Sequence, residues 1–324
     1  MIAAAVAIAL AFQSVGGVSP NSLRKHVEFL ASDKLEGRDT PSAGLDLAAA
    51  YIAGEFKAIG LKPLSDGSYF QSTEYENRRK NLKAKVSNVI GVLPGTGPAL
   101  KDRYVIVSAH YDHLGKREGE GDTIFNGAND DASGVAGVIE TARVLAKRKL
   151  KRTVVFMCFY GEEKGLVGSR YYAQHPVFPV AQTVANINLE QIGRTDDSEG
   201  ARVGKYNLTG FDFTDLPKSL GPAAAKWSVS LEKHPTLNEP YFMASDNYSF
   251  AAVGIPCTTI SVAYEFPDYH RVGDHADRLD YPNFAKIVRA IAEGVEAVSN
   301  GADDPKWNKD NPKAKRFSDL RAGG

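Results

Sequence analysis

Four short segments of the chain place histidine or carboxylate side chains directly after apolar runs. They are His110-Tyr111-Asp112, Asp130-Asp131, Glu162-Glu163 and His270. Imidazole nitrogens and carboxylate oxygens are ligands that zinc takes from proteins, at about 2.0–2.2 Å. Each segment alone has an ordinary structural explanation, such as a helix cap or a solvated turn. Their shared position after a predicted strand is what indicates a metal site.

The first of these segments combines a candidate ligand with a candidate partner. His110 ends a predicted strand and can offer one ring nitrogen to a metal, while Asp112 can accept the proton of the other ring nitrogen. His113 is interpreted either as a second partner of this kind or as a residue that lines the pocket.

The segment 126–134 leads into a predicted helix and contains Asp130 and Asp131. Asn, Asp, Ser and Gly before an apolar helical run are typical of an N-cap, and carboxylates favour the positive end of the helix dipole. Capping and metal binding are compatible here, because a carboxylate fixed at a helix start is rigid enough to bridge two cations.

Three further carboxylates and a histidine follow later apolar runs. In Glu162-Glu163 one side chain is predicted to bind metal and its neighbour to act as a general base for water. Glu190 ends another predicted strand, and His270 follows the last one.

The elements that must position these side chains alternate along the chain. Strands are predicted at 87–93, 104–108, 153–159, 184–189 and 257–262, and helices at two places within 19–59 and at 134–149, 166–174 and 284–298. Runs rich in Val and Ile and apolar on both faces predict a central, mixed but mostly parallel sheet between helices, a three-layer α/β/α fold. Ligands of such sheets bind beyond the carboxyl ends of the strands, where the four segments would converge.

The chain is predicted to form one domain over 19–299, with a loop-rich insertion at about 196–245 and a polar tail at 300–324. Residues 1–18 resemble a signal peptide without its charged start, with Ala9-Leu10-Ala11 as a small-x-small site. This favours export to the periplasm or medium, and the alternative is a cytoplasmic protein with a buried or frayed N-terminal helix. The apolar stretch is shorter than the ~18 residues of a membrane span, so no stable membrane insertion is expected after processing.

Composition narrows the classes of partner. Lys plus Arg and Asp plus Glu both number 39, so the net charge is zero and gives no support for a nucleic acid or an anionic membrane as partner. The two cysteines, Cys158 and Cys257, cannot form a disulfide framework and are predicted to be buried thiols. The sequence leaves the oligomeric state open.

Five motifs together resemble the metal-site motifs of the di-zinc aminopeptidases. They lie at 110–112, 127–134, 162–169, 188–193 and 269–270, and the segment 30–38 resembles exported bacterial members. The family includes bacterial leucine aminopeptidases, aminopeptidases S and Y and glutamate carboxypeptidases, with glutaminyl cyclases as distant relatives. The resemblance covers about 23–298 and implies a zinc-exopeptidase-like fold of the phosphorylase/hydrolase type.

The resemblance implies two zinc ions per chain, with cobalt or manganese as alternatives. One zinc would be held by His110, Asp130 and Glu190, and the other by Asp130, Glu163 and His270, so that Asp130 bridges them. One departure is Glu190, where the family usually has Asp. The longer side chain requires the backbone to lie further back, or coordination to change from one oxygen to two.

Other roles are also carried over from the resemblance. Glu162 would be the general base, Tyr269 would help to stabilise an oxyanion, and Asp246 and Phe250 would border the substrate pocket. The peptide bond after Asp130 would be cis, which places Asp131 behind the bridging carboxylate.

The implied function is a metallo-aminopeptidase that hydrolyses N-terminal peptide bonds with a hydroxide bridging the two metals. Its substrates would be peptides with a free N-terminus. The alternatives are a glutaminyl cyclase or a carboxypeptidase on the same fold, with Arg194 and Arg271 as candidates for holding a substrate carboxylate. A non-catalytic family member is the third alternative.

Overall fold

The computed structural model describes residues 17–77 and 81–322. The helices are α1 (Pro20–Leu30), α2 (Ala43–Ile59), α3 (Gly134–Leu145), α4 (Val167–Gln174), α5 (Pro217–Ala225), α6 (Asn247–Ala251), α7 (Tyr281–Asn300) and α8 (Pro312–Ala322). The strands are β1 (Phe70–Asn77), β2 (Leu82–Leu93), β3 (Tyr104–His110), β4 (Gly115–Lys116), β5 (Ile124–Phe125), β6 (Thr153–Phe159), β7 (Thr183–Leu189), β8 (Asp196–Asp197), β9 (Gly200–Ala201), β10 (Lys205–Leu208), β11 (Ser230–Glu232) and β12 (Cys257–Ser261).

Eight of these strands form one sheet in the order β1-β2-β6-β3-β7-β12-β10-β11. The four central strands, β6, β3, β7 and β12, run parallel to one another. Antiparallel pairs join β2 to β6 on one side and β10 to β12 on the other. The predicted mixed, mostly parallel sheet is therefore confirmed.

The two faces of the sheet carry separate apolar clusters because successive side chains of a strand point to opposite faces. In β6, Val154, Phe156 and Cys158 join the cluster under α1, α2, α3 and α7, whereas the alternate residues join the cluster under α4, α6 and α8. A strand covered on both faces needs apolar residues throughout, as its sequence has. The three-layer α/β/α architecture is confirmed.

The structure tests the prediction for the C-terminal segment of the chain but not the prediction for the N-terminal segment. The signal-peptide prediction falls almost wholly on residues 1–16, which lie outside the described residues, and it stays a prediction. The tail predicted at 300–324 is polar and mostly exposed in its described part, but it also forms α8 and packs on the fold. There Trp307 and Phe317 are buried in the apolar cluster on the α8 face, and Trp307 Nε1 donates to Gly254 O at 2.8 Å.

The predicted loop-rich insertion at about 196–245 contributes to the fold itself. It contains β10 and β11 of the main sheet and α5, which packs against α7. Both cysteines are free and buried, as predicted. None of the described helices combines the length and the apolar character that a membrane-spanning segment requires.

Candidate metal centre

The predicted ligand segments meet at one edge of the sheet. β3 pairs in parallel with both β6 and β7, so the turns after His110, Phe159 and Leu189 leave the sheet on the same side. β12 adds its own carboxyl end next to β7. The crevice beyond these strands is where a doubly wound sheet binds its ligand.

One group of possible ligands consists of His110, Asp130 and Glu190, whose ligand atoms all lie within 4.8 Å of one another. His110 Nε2 is 3.2 Å from Asp130 Oδ1. Glu190 follows the end of β7, and its carboxylate lies in this group. The extra carbon of its side chain, compared with the aspartate expected here, therefore does not keep it out of the group. An oxygen–nitrogen–oxygen set of this size suits a zinc ion.

The second oxygen of Asp130 faces another group. His270 Nε2 lies 3.1 Å from Asp130 Oδ2 and 3.4 Å from Glu163 Oε1. His113 reaches the same two carboxylates, and His113, Asp130 and Glu163 also have ligand atoms within 4.8 Å of one another. Asp130 therefore contributes one oxygen to each group, which is the geometry a bridging ligand needs.

Several atoms of this centre are buried without a hydrogen-bond partner among the described residues. They are His110 Nε2, His113 Nδ1 and Nε2, Asp130 Oδ2 and Glu163 Oε1. Buried polar atoms in folded proteins almost always have a partner. Lone pairs of histidine and carboxylate that converge without donors fit bound cations, so the residues present fit the two-zinc centre that the family resemblance implies.

The ring of His110 is oriented by its own loop. Its Nδ1 lies 3.2 Å from the Asp112 main-chain oxygen, whereas the Asp112 carboxylate Oδ1 is 3.6 Å away. Nδ1–H therefore donates to the carbonyl, which leaves the Nε2 lone pair directed at Asp130. The Asp112 carboxylate instead accepts from the Glu162 backbone N at 3.1 Å and from Thr40 Oγ1 at 3.2 Å. Asp112 thus positions Glu162 more directly than it positions His110.

Asp131 fastens the bridging segment to its neighbours. Its carboxylate accepts from the backbone N of His110 at 3.3 Å, of Gly134 at 2.9 Å and of Gln191 at 3.2 Å. The Asp130–Asp131 peptide bond is cis, as the resemblance implies. One carboxylate therefore holds the ends of three ligand-bearing segments together.

Two residues that sequence reasoning did not single out also hold this segment. Asp274 accepts from the backbone N of Asn129 and of Asp130 at 2.9–3.1 Å. Arg38, fully buried, donates to four carbonyl oxygens in three segments of the chain, namely those of Leu30, of Tyr111 and of the adjacent Asn126 and Gly127. Arg38 lies within the segment 30–38 that resembled exported family members, so its motif was visible but its role was not.

A cavity of about 290 Å³ opens onto the two groups. Glu162 and Tyr269 line it next to the candidate ligands, and the Tyr269 ring stacks on His270 with 4.0 Å between centroids. The rest of its lining includes six residues with hydroxyl groups, namely Thr209, Tyr241, Ser245, Thr259, Ser261 and Tyr264. Thr259 and Ser261 are two residues apart in β12 and therefore lie on the same face of the strand, so the sequence could have indicated that both line one surface.

The two residues predicted to border the pocket lie behind it. Phe250 is fully buried in the apolar core, where its ring packs against Phe159 and Tyr172 at 6.0 and 5.8 Å between centroids. Asp246 is also fully buried, and both of its carboxylate oxygens lack a hydrogen-bond partner among the described residues. Sequence position alone could not separate the wall of the cavity from the layer behind it.

The carboxylates of the site fall into two electrostatic classes. Burial acts to raise the pKa of Glu163, but His113 and His270 hold that pKa at about 2. Burial raises the pKa of Glu162 well above its usual range, and the neighbouring carboxylate of Glu190 adds to the effect. Groups with opposed shifts at one site suit different tasks, here binding a cation and carrying a proton.

Stability of the metal-free protein is expected to fall as the pH rises from 6 to 8. Burial raises the pKa values of Glu190 and Asp246 to about 7, and Asp130 and Glu163 overcome burial to raise that of His270 to about 10. Up to about pH 7 Glu190 and Asp246 hold protons that the unfolded chain has released, and above its ordinary pKa of 6.5 His270 does so too. Each extra proton on a buried group costs about 1.4 kcal/mol per pH unit, and solvent screening reduces this cost for His270, whose side chain is 40% exposed.

The lowered pKa of Glu163 contributes no slope in this window, because Glu163 is ionised in both states above pH 6. Urea unfolding of chelator-treated protein at pH 6, 7 and 8 measures the effect, and zinc should weaken the dependence because its ligands must be deprotonated. A free energy of unfolding that rises with pH would contradict the prediction.

Shortening Glu190 to aspartate should weaken zinc binding at the His110 group by roughly tenfold or more, within the range known for disturbed metal sites. The backbone of Glu190 is fixed because its N donates to Ile260 O at 3.1 Å beside the β7–β12 pairing. Removing one C–C bond of about 1.5 Å therefore withdraws the carboxylate. Chelator competition measures the affinity, with the exposed Glu120→Asp as control. Unchanged affinity would mean that the backbone at residue 190 moves to restore the contact between the shorter carboxylate and the metal.

Comparison with known proteins gives a family match that includes all of the candidate ligand segments. Residues 88–295 match the model of peptidase family M28. The chain is 28% identical over 266 residues to a probable zinc metalloprotease of Pyrenophora tritici-repentis, covering 80% of this chain and 60% of that protein. The chain thus spans about 60% of the length of that relative.

Solved structures share the fold at lower identity. An aminopeptidase from Aneurinibacillus sp. strain AM-1 superposes with a TM-score of 0.67 at 18% identity, covering 90% of this chain and 98% of that one. A glutaminyl cyclase from Bacteroides thetaiotaomicron gives a TM-score of 0.66 at 18% identity, covering 86% and 98%. At these identities the similarity shows the fold and does not distinguish the two chemistries.

Proposed function

This chain belongs to peptidase family M28, and from that premise we propose that it is a zinc-dependent exopeptidase, specifically an aminopeptidase with two zinc ions. The observation that carries the proposal is the sharing of Asp130 between two ligand groups at one end of a small cavity. A protein that only binds a ligand has no need of a bridging carboxylate next to a second glutamate that faces the same cavity.

The residues that line the cavity favour a substrate amine over a substrate carboxylate. Four carboxylates line it, those of Asp130, Glu162, Glu163 and Glu190, and no lysine or arginine is among its described lining residues. With two zinc ions bound, Asp130, Glu163 and Glu190 would serve the metals, and Glu162 is the lining carboxylate left to attract an ammonium group. A free N-terminus fits this end of the cavity, which restricts cleavage to the end of a peptide.

Glu162 is placed to move a proton between water and the leaving amine. It lines the cavity, its backbone N is held by Asp112 at 3.1 Å, and its raised pKa allows the carboxyl to accept a proton and give it up again. Zinc ions, when bound, supply the acidification of water and the polarisation of the scissile carbonyl. Tyr269 lies beside His270 at the cavity wall, where its hydroxyl can donate to a developing oxyanion.

The carboxypeptidase alternative receives no support from the arginines considered for it. Arg194 is nearly buried and paired with Asp196 and Asp268 at 2.5 and 2.6 Å. Arg271 is exposed, and neither arginine is among the residues lining the cavity. The described lining of the cavity therefore offers a substrate carboxylate no guanidinium fork.

A glutaminyl cyclase remains the second candidate because a protein of that name shares the fold. The family resemblance gives cyclases a single zinc, whereas this chain retains two complete ligand groups. Metal count and reaction product therefore separate the two candidates.

The test is metal analysis and assay on one purified sample. We expect two zinc ions per chain and hydrolysis of Leu-p-nitroanilide that is lost on chelation and restored by zinc. The same peptide is then offered with a free and with an acetylated amine, and only the free form should be cleaved. One zinc per chain, with cyclisation of an N-terminal glutamine and no amide hydrolysis, would establish the cyclase instead.

A further inference from the structure

His113 lies at the metal centre although the implied ligand sets do not include it. Its side chain is 0% exposed, and its backbone N donates to Arg38 O at 3.2 Å. The ring packs on Gly127, where an added Cβ would come within 2.6 Å of His113 Cγ and Cδ2. Gly127 has φ +57, so it combines a backbone that favours glycine with close contact to this ring. The ring of His113 is therefore held in one place.

Its Nδ1 faces the same two oxygens as His270. Nδ1 is 2.8 Å from Glu163 Oε1 and 3.9 Å from Asp130 Oδ2. His270 Nε2 is 3.4 and 3.1 Å from those two atoms. Two atoms bound to one zinc at about 2.0–2.2 Å lie no more than about 4.4 Å apart. All four separations lie within this limit, as they must if one ion is to contact both imidazoles and both carboxylates.

Hydrogen bonding within the described residues does not account for this ring. Both nitrogens of His113 lack a hydrogen-bond partner there, and so do the oxygens that face Nδ1, Glu163 Oε1 and Asp130 Oδ2. The approach of Nδ1 to Glu163 Oε1 is short but is not aligned as a hydrogen bond. A buried imidazole without a partner is rare. A cation bound between His113 Nδ1, Glu163 Oε1 and Asp130 Oδ2 would give each of these three atoms a partner.

We propose that His113 Nδ1 is an additional ligand of the metal held by Asp130, Glu163 and His270. That site then has four protein ligands, whereas the site of His110 and Glu190, which shares Asp130, has three. The inference rests on the two-metal centre of the proposed function. Its consequence is that the two sites are unequal, and the site with His113 fills first and empties last.

Zinc-edge X-ray absorption of the wild-type protein carrying two zinc ions tests the ligand count directly. We expect three imidazoles shared between the two ions rather than two. Zinc titration against a competing chelator is then compared for His113→Asn, His113→Ala and the exposed control His175→Asn. Asparagine keeps a hydrogen-bond donor near the position of Nδ1 but offers no imidazole lone pair.

Both His113 variants should lose at least about 100-fold in affinity for one of the two zinc ions. Loss of a residue that only supports a metal ligand costs about 10–100-fold, so a larger loss indicates a ligand. The control should match the wild type. If asparagine preserves the affinity while alanine does not, His113 only donates to Glu163 and the inference is wrong. Two imidazoles in the wild-type spectrum overturn it whether or not the variants fold. A wild-type protein that binds no zinc overturns the two-metal centre as well.

Discussion

Glu162→Gln is expected to lower kcat by about 10²–10⁴-fold, the usual contribution of a general base, while both zinc ions stay bound. Glutamine keeps the size and the polar atoms of the side chain but cannot take up a proton at neutral pH. The backbone N of residue 162 still donates to Asp112, so the loop keeps its position. Neither ligand group contains Glu162, which is why metal content should not change.

Steady-state kinetics with Leu-p-nitroanilide and zinc analysis of the same preparation check this expectation. Because the lost function belongs to the transition state, kcat and kcat/KM should fall together with little change in KM. Glu120→Gln makes the same chemical change at an exposed glutamate and serves as the control. Near wild-type turnover in Glu162→Gln with full metal content would assign the base to another residue.

The convergence of the ligand segments could be predicted because it depends on a local pattern and one topological rule. Three apolar runs end at Ala109, Phe159 and Leu189, and a candidate ligand follows each of them in the sequence. Parallel strands bring their carboxyl ends to the same edge of a sheet. The ligand types could be read at those ends without knowing the strand order. The three-layer fold followed from strands that are apolar on both faces.

The walls of the cavity could not be predicted because they depend on which strands are neighbours. Thr209 follows β10 and Thr259 lies in β12, and these segments, about 50 residues apart, meet through antiparallel pairing. Phe250 was expected at the pocket, but the packing of α6 against the sheet turns its ring into the core. A single helix of apolar and polar residues does not reveal which of its faces meets a cavity.

The supporting residues were missed for a different physical reason. Arg38 stabilises main-chain carbonyl groups, and the oxygen of any residue type at those positions would serve it equally. Among the described residues the Asp274 carboxylate likewise accepts hydrogen bonds only from backbone N–H groups. Contacts to the backbone leave no trace in the sequence of the partner, so such residues are found only when the fold is known.

Asp130→Asn should abolish binding of two zinc ions and reduce peptidase activity to that of the chelated protein. Each oxygen of Asp130 serves a different group, with Oδ1 3.2 Å from His110 Nε2 and Oδ2 3.1 Å from His270 Nε2. An amide has one oxygen and an NH₂ group that donates hydrogen bonds, so at most one group keeps a ligand atom at this position. Loss of the negative charge also removes part of the attraction for both cations.

The change is confined to metal binding because the backbone N of residue 130 still donates to Asp274 at 3.1 Å, which keeps the segment in place. Circular dichroism should therefore be unchanged, while zinc analysis after dialysis should give fewer than two ions per chain. Asp102→Asn, at an exposed aspartate, controls for the change of charge. Binding of two zinc ions with wild-type affinity in Asp130→Asn would mean that the two groups do not share this carboxylate. The mechanism would then need separate water-activating and carbonyl-binding sites, and the unequal affinities inferred from His113 would have to arise without a bridge between them.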